Sequence, residues 1–226
     1  MARPGLIARK GKYPMRNVLV AAVMLSLSLV LPAAAASCPG TVVFQDLFKT
    51  PNPALDLTAY AASKIAIQGG KAEVAFLQTG YSRNEEYAGT QYGDATVCAT
   101  FNTLKTDKAE TQVVGIIFWA TDYSNFYALE VEPASGTMAL AQLVSNAWTF
   151  PIAWTANAAI VKTMGAANVL QVRTKGSAVT LLINGLAVGS YTGTPPAGGG
   201  VVGFTVSTSS TSLSTLDVTD FTVAVP

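Results

Sequence analysis

Beyond residue 40 the chain is a succession of short segments rich in Val, Ile, Thr and aromatic residues, each closed by Gly, Asn, Pro or Ser. That punctuation constrains the fold more than any other feature, because short period-two segments between turn signals are the pattern of a β-sandwich or barrel. Strands are predicted near 41–48, 64–68, 71–77, 94–101, 112–120, 126–132, 137–144, 168–174, 178–183, 186–191, 200–208 and 215–225. Asn184-Gly185, between Val179-Thr180-Leu181-Leu182-Ile183 and Leu186-Ala187-Val188, is the sharpest hairpin signal, since a type I′ turn needs positive φ at both central residues. Lys175-Gly176-Ser177 supplies the preceding turn, so 168–191 reads as a three-stranded meander. No segment after residue 36 carries a sustained helical period with caps.

The first 36 residues have a different character. Arg3, Arg9, Lys10, Lys12 and Arg16 form a basic region without an acid, followed by an apolar stretch from Val18 to Pro32 and by Ala33-Ala34-Ala35-Ala36. That order predicts a secretory signal peptide cleaved after Ala36. The apolar run, about 15 residues, falls short of the roughly 20 that span a bilayer; a retained N-terminal anchor is the alternative. Residues 37–226 then form a single all-β domain with no membrane span. Of the 14 basic and 13 acidic residues, five basic ones leave with the leader. The mature chain keeps 9 against 13, a net charge of −4, where the whole chain carries +1.

Export bears on the cysteines. Cys38 and Cys98 are the two in the chain, and in an oxidising compartment such a pair is expected to form one disulfide. It would close a loop of about 60 residues, worth roughly 4 kcal/mol in the chain-entropy model. Two free thiols are the alternative. A secreted or periplasmic location follows from the same reading.

Composition excludes several chemistries. With no His there is no Ser-His-Asp triad and no His-liganded zinc. An acidic mature chain without an Arg/Lys stripe argues against nucleic acid as partner. No cofactor is required by any motif.

The segments Phe44-Gln45-Asp46-Leu47-Phe48, Gly115-Ile116-Ile117-Phe118-Trp119, Asn125-Phe126-Tyr127-Ala128-Leu129-Glu130-Val131 and Asn168-Val169-Leu170-Gln171-Val172 stand in that order. Asn184-Gly185, Val201-Val202-Gly203-Phe204 and a closing Asp220-Phe221-Thr222-Val223 follow. The whole resembles the concanavalin A-like lectin/glucanase superfamily, especially its laminin-G-like and family-sixteen-hydrolase-like bacterial modules, from about Val42 to Val225. The resemblance implies an all-β jelly-roll sandwich of two antiparallel sheets with ligands held on a concave face. Since such folds host lectins, glycosidases and adhesion modules, function must be argued from the site.

Related enzymes carry E-x-D-x-x-E where this chain has Glu130-Val131-Glu132-Pro133-Ala134-Ser135. Glu130 and Glu132 fall on one strand face, but Ser135 replaces the last acid and Pro133 ends the strand, so the pair is a weak catalytic candidate. Glu85-Glu86 reads as an exposed polar loop. If Ile116 and Phe118 point inward, alternation sends Ile117 and Trp119 outward, with Ala128, Glu130 and Glu132 beside them. Trp119, Glu130, Gln142 and Trp148 would then form an aromatic sugar-binding patch, with Trp154 in the following loop. Asp122, Tyr123 and Asn125 close the adjoining hairpin turn. A structural calcium site is a further candidate, with Asp46 on the first strand and Asp217 or Asp220 on the last as oxygen ligands. The resulting expectation is an exported, non-catalytic carbohydrate-binding module. Its rivals are a glycoside hydrolase or lyase of the same fold and an envelope structural or protein-interaction module; oligomeric state is left open.

Overall fold

A computed structural model describes residues 38–106 and 112–226; the signal peptide expected at 1–36 lies outside them. Every element among the described residues is a strand: β1 (Thr41–Asp46), β2 (Ser63–Gln68), β3 (Lys71–Phe76), β4 (Ser82–Glu86), β5 (Ala95–Thr106), β6 (Gln112–Asp122), β7 (Asn125–Glu132), β8 (Thr137–Val144), β9 (Ala147–Ala156), β10 (Ala167–Lys175), β11 (Ala178–Ile183), β12 (Leu186–Thr192), β13 (Val201–Thr208) and β14 (Ser214–Val225). No described helix is long and apolar enough to cross a membrane.

Two antiparallel sheets result. One has eight strands in the order β12-β11-β10-β5-β14-β3-β2, with β1 pairing the far half of β14; the other has six, β4-β13-β6-β7-β8-β9. Alternation explains the packing. Ala72, Val74 and Phe76 of β3 are buried while Lys71, Glu73 and Ala75 are half-buried, so one face turns inward. Val114, Ile116 and Phe118 of β6, Leu129 and Val131 of β7, and Val202, Phe204 and Val206 of β13 join Val97, Leu170, Val172, Leu216 and Phe221 from the opposite sheet in one core. Asn184 and Gly185 both have positive φ, 51° and 80°, and close the predicted hairpin.

Cys38 and Cys98 are joined, Cα to Cα 5.8 Å, and tie the start of the domain to β5. Each of the twelve predicted strands is present. Two more were not anticipated, β4 and β9, and they form the two edges of the six-stranded sheet. The sequence of β4, Ser-Arg-Asn-Glu-Glu, has no apolar residue to betray a strand. That of β9 is broken by Pro151, tolerated because an edge strand leaves half its amides unpaired.

The outer face of the six-stranded sheet carries a second small core. Ile117, Ala120, Phe126, Ala128 and Leu143 are buried there, and the Trp148 ring closes over Phe126 at 5.6 Å, edge to face.

Candidate functional site: a tyrosine-lined cleft on strand β4

The four side chains of the expected patch do not share a face. Alternation fails at Trp119, where β6 bulges between Phe118 and Asp122 and Trp119 takes φ 51°. The extra residue reverses the parity of the strand. Trp119 therefore follows Phe118 inward, is 3% exposed and packs against Phe118 and Tyr127 at 5.4 and 5.7 Å. Gln142 is paired with Tyr127 and so lies on that same side, beside Trp119 in a small recess of about 110 Å³. Glu130 and Trp148 lie on the other side. Glu130 sits opposite Gly115, whose missing side chain leaves room for the glutamate stem. Trp148, paired with Leu143, is 42% exposed. Together with Phe150 and Trp154 of β9, also exposed, it makes an aromatic ridge along the sheet edge. Trp154 is therefore a strand residue.

The weak catalytic pair is no better arranged. Glu132 accepts hydrogen bonds from Ser135 Oγ (2.8 Å) and Thr137 Oγ1 (3.3 Å), which ties it into the turn after β7. Glu130 has no hydrogen-bonding partner among the described residues, and burial alone pushes its carboxyl up to about 7.

The calcium candidates Asp46, Asp217 and Asp220 are not brought together either. Asp46 is paired with Phe221 and shares its inward face, while Asp220, the next residue, points the opposite way. The Asp46 carboxylate is already used: it accepts from the Phe48 amide at 2.7 Å, Asn52 Nδ2 at 3.0 Å and the Tyr87 hydroxyl at 3.3 Å. Asp217 is bound to Lys71 Nζ at 2.7 Å. Among the described residues no three acidic, Cys or His side chains converge as a metal site.

What the fold does assemble is a cleft of about 480 Å³ along β4. The β1–β2 connection contributes Asp56 and Tyr60, the β3–β4 connection Gln78 and Tyr81, β4 itself Ser82 to Glu85, and the β6–β7 turn Tyr123. Tyr60, Tyr81 and Tyr123 are each about half exposed. Neighbours on an edge strand alternate in direction, so Arg83 and Glu85 turn inward opposite Val206 and Phe204 while Asn84, opposite Thr205, faces out. Asn84 Oδ1 accepts from Thr205 Oγ1 at 2.7 Å.

The floor is an ion pair. Arg83 Nε donates to Glu85 Oε1 at 2.5 Å, with side chains 3% and 1% exposed, and Arg83 Nη2 donates to the Asp56 carbonyl at 2.6 Å. The Tyr60 ring lies 5.1 Å from the guanidinium carbon, a cation–π contact. Two opposed effects act on Glu85: desolvation raises its pKa, Arg83 lowers it, and the first is larger. Such a pair is a rigid element more than a stabilising one. On the rim Asp56 accepts hydrogen bonds from Thr58 and the Tyr60 hydroxyl, and these hold its carboxyl down to about 2. Asp122 fastens the neighbouring turn, accepting from Ser124 and Asn125 at 2.7 to 2.9 Å, as expected of an Asx turn. Tyr123 is thereby presented to the cleft.

Glu85 and Glu86 are buried, not loop-exposed. Sequence reasoning missed this cleft because its residues come from three separate stretches. The one available signal was the tyrosines, spaced too widely to suggest a common site.

Neither a family model nor the sequence of a characterised protein matches the chain. Solved structures do. A Bacillus subtilis protein of unknown function with a galectin-like fold superposes with TM-score 0.60 at 13% identity, over 82% of this chain and 96% of that one. The Bacillus licheniformis β-glucanase gives 0.57 at 8% identity, over 83% and 99%. The fold is that of the concanavalin A-like superfamily. A third member of this jelly-roll group, a glycoside hydrolase family 16 endo-glucanase from Bacteroides ovatus, gives 0.57 at 9% identity, over 80% and 100%. At such identities the likeness concerns the concanavalin A-like jelly roll and its two sheets, not the chemistry at any one site.

Proposed function

We propose that this protein binds carbohydrate at the tyrosine cleft, without transforming it, and does so outside the reducing cytoplasm. The composition of the cleft carries the reading: three half-exposed tyrosine rings beside Gln78, Ser82, Asn84 and Asp56, over a fixed ion pair. Sugars present apolar C–H faces to flat rings and hydroxyl edges to amides and carboxylates, so this mixture suits them. Structural neighbours named as glucanases support carbohydrate as the ligand class to test. Hydrolysis would need a proton donor and a partner carboxylate flanking one bond. Here Glu85 is held by Arg83, Glu132 by Ser135 and Thr137, and Glu130 has no side-chain partner among the described residues. Export is supported by the leader-like first 36 residues and by the Cys38–Cys98 bond, since disulfides persist in oxidising compartments.

The test is a glycan array followed by calorimetry on wild type, Tyr81→Ala, Tyr123→Ala and Trp148→Ala. Each tyrosine variant is expected to weaken binding about tenfold, equivalent to roughly 1.4 kcal/mol, and Trp148→Ala to leave it unchanged. Wild type that binds no glycan, or binding lost only in Trp148→Ala, overturns the reading. The β9 ridge favours a second reading, a contact surface for another macromolecule. Trp148→Ala/Trp154→Ala would then abolish an association that the tyrosine variants keep.

A further inference from the structure

We infer that the cleft selects neutral glycans and rejects those bearing carboxylate or sulfate groups. This rests on the carbohydrate reading above and narrows it. An arginine in a polar cleft ordinarily suggests a receptor for a carboxylate, because its planar fork matches two oxygens at once. Arg83 offers no such fork. Its Nε is taken by Glu85 and its Nη2 by the Asp56 carbonyl. The remaining terminal nitrogen, Nη1, has no hydrogen-bond partner among the described residues but is buried away from solvent, and Tyr60 lies over the guanidinium.

The charge balance of the cleft points the same way. Arg83 is the one cation among the described residues lining it, and it is offset by Glu85 within the ion pair, which leaves the Asp56 carboxylate in excess. Asp56 stands at the rim, and its low pKa keeps it ionised at any ordinary pH. The Tyr123 phenol lines the cleft wall, and burial first, then the charges of Glu86, Glu85 and Asp56 and the neighbouring Tyr60, push its pKa up. A second anion brought into such a site meets like charge without a free cation to offset it. A neutral pyranose meets only hydrogen-bonding groups and rings.

Matched pairs of acidic oligosaccharides and their carboxyl-reduced forms isolate the charge, since ring, linkage and length stay the same. Calorimetry at low and at physiological salt on wild type and Asp56→Asn provides the comparison. In any pair that binds, the neutral member is expected to bind at least about tenfold more tightly. Asp56→Asn is expected to narrow the ratio between the two members whatever it does to either affinity alone, because it removes the charge while its Oδ1 still accepts from the Thr58 amide and its Nδ2 can donate to the Tyr60 hydroxyl. Salt should narrow the gap as well. An acidic glycan bound more tightly than its reduced form, with affinity falling as salt rises, overturns the inference and makes Arg83 an anion receptor. Equal binding of both members overturns it while leaving carbohydrate binding intact. Failure to bind any member of any pair fails the carbohydrate reading itself and the selectivity with it.

Discussion

Glu130 is a carboxyl group placed where water cannot reach it well. Gly115 on the adjoining strand leaves the space it fills, and the residue is only 9% exposed. Desolvation favours the neutral acid, so the folded protein holds this proton more tightly than the unfolded chain, with a pKa of about 7 against 4.5. Glu86 behaves alike, pushed to about 7 by burial and by Asp122. For a carboxyl raised on folding, the native state binds more protons between the two values, so stability falls as pH rises from about 4.5 through 7. Glu130→Gln removes one such site. Urea unfolding should find the variant equal to wild type at pH 4 and more stable by up to about 3 kcal/mol at pH 8. Parallel pH profiles would mean that the carboxyl is solvated after all.

At the scale of single elements, the bulge in β6 decides which tryptophan is structural and which is surface. Strand alternation, read without it, puts Trp119 outward; one positive φ sends it into the core. The bulge is accommodated by Gly200, where an added Cβ would lie 2.4 Å from Trp119 Cα. Gly200→Ala therefore forces the β13 approach apart. It should cost about 1 to 3 kcal/mol, in the range of other overpacking substitutions, and alter the near-ultraviolet circular dichroism of the tryptophans. A matched Gly185→Ala, with no atom within 4 Å of the new Cβ, should keep that signal and lose stability only through its φ of 80°. Bulges leave little trace in sequence because they depend on the partner strand as much as on the residues that bulge. The edge strands were hidden for related reasons. A strand whose inward side chains are Arg83 and Glu85 has no hydrophobic alternation, and β9 is half unpaired and broken by proline.

For the whole molecule, the disulfide is the longest-range constraint placed by covalent chemistry. It joins residues 60 apart in sequence and fixes the start of the domain against β5, near the middle of the eight-stranded sheet. Chain entropy assigns such a closure about 4 kcal/mol. Reduction, or Cys38→Ser/Cys98→Ser, should lower the melting temperature by several degrees and yet leave both sheets formed, because the core between them is independent of the link. Loss of far-ultraviolet β signal on reduction at room temperature would show instead that the sheets depend on it.

The strands along the chain, the meander ending in Asn184-Gly185 and the inward residues of β7 and of β6 as far as Phe118 were decided by local alternation and turn chemistry, which a sequence displays directly, and the Cys38–Cys98 bond by there being two cysteines to pair. Fold class followed because those signals agree with one another along the chain. The tyrosine cleft was decided by tertiary structure alone. Tyr60, Tyr81 and Tyr123 are distant in sequence and meet only because β4 pairs with β13 at a sheet edge and the β6–β7 turn presents Tyr123 to it. The charge of the cleft is equally a tertiary property. Glu85 reads as an exposed loop residue until burial beside Arg83 makes the two a pair, and the proposed selectivity rests on that pairing and not on composition.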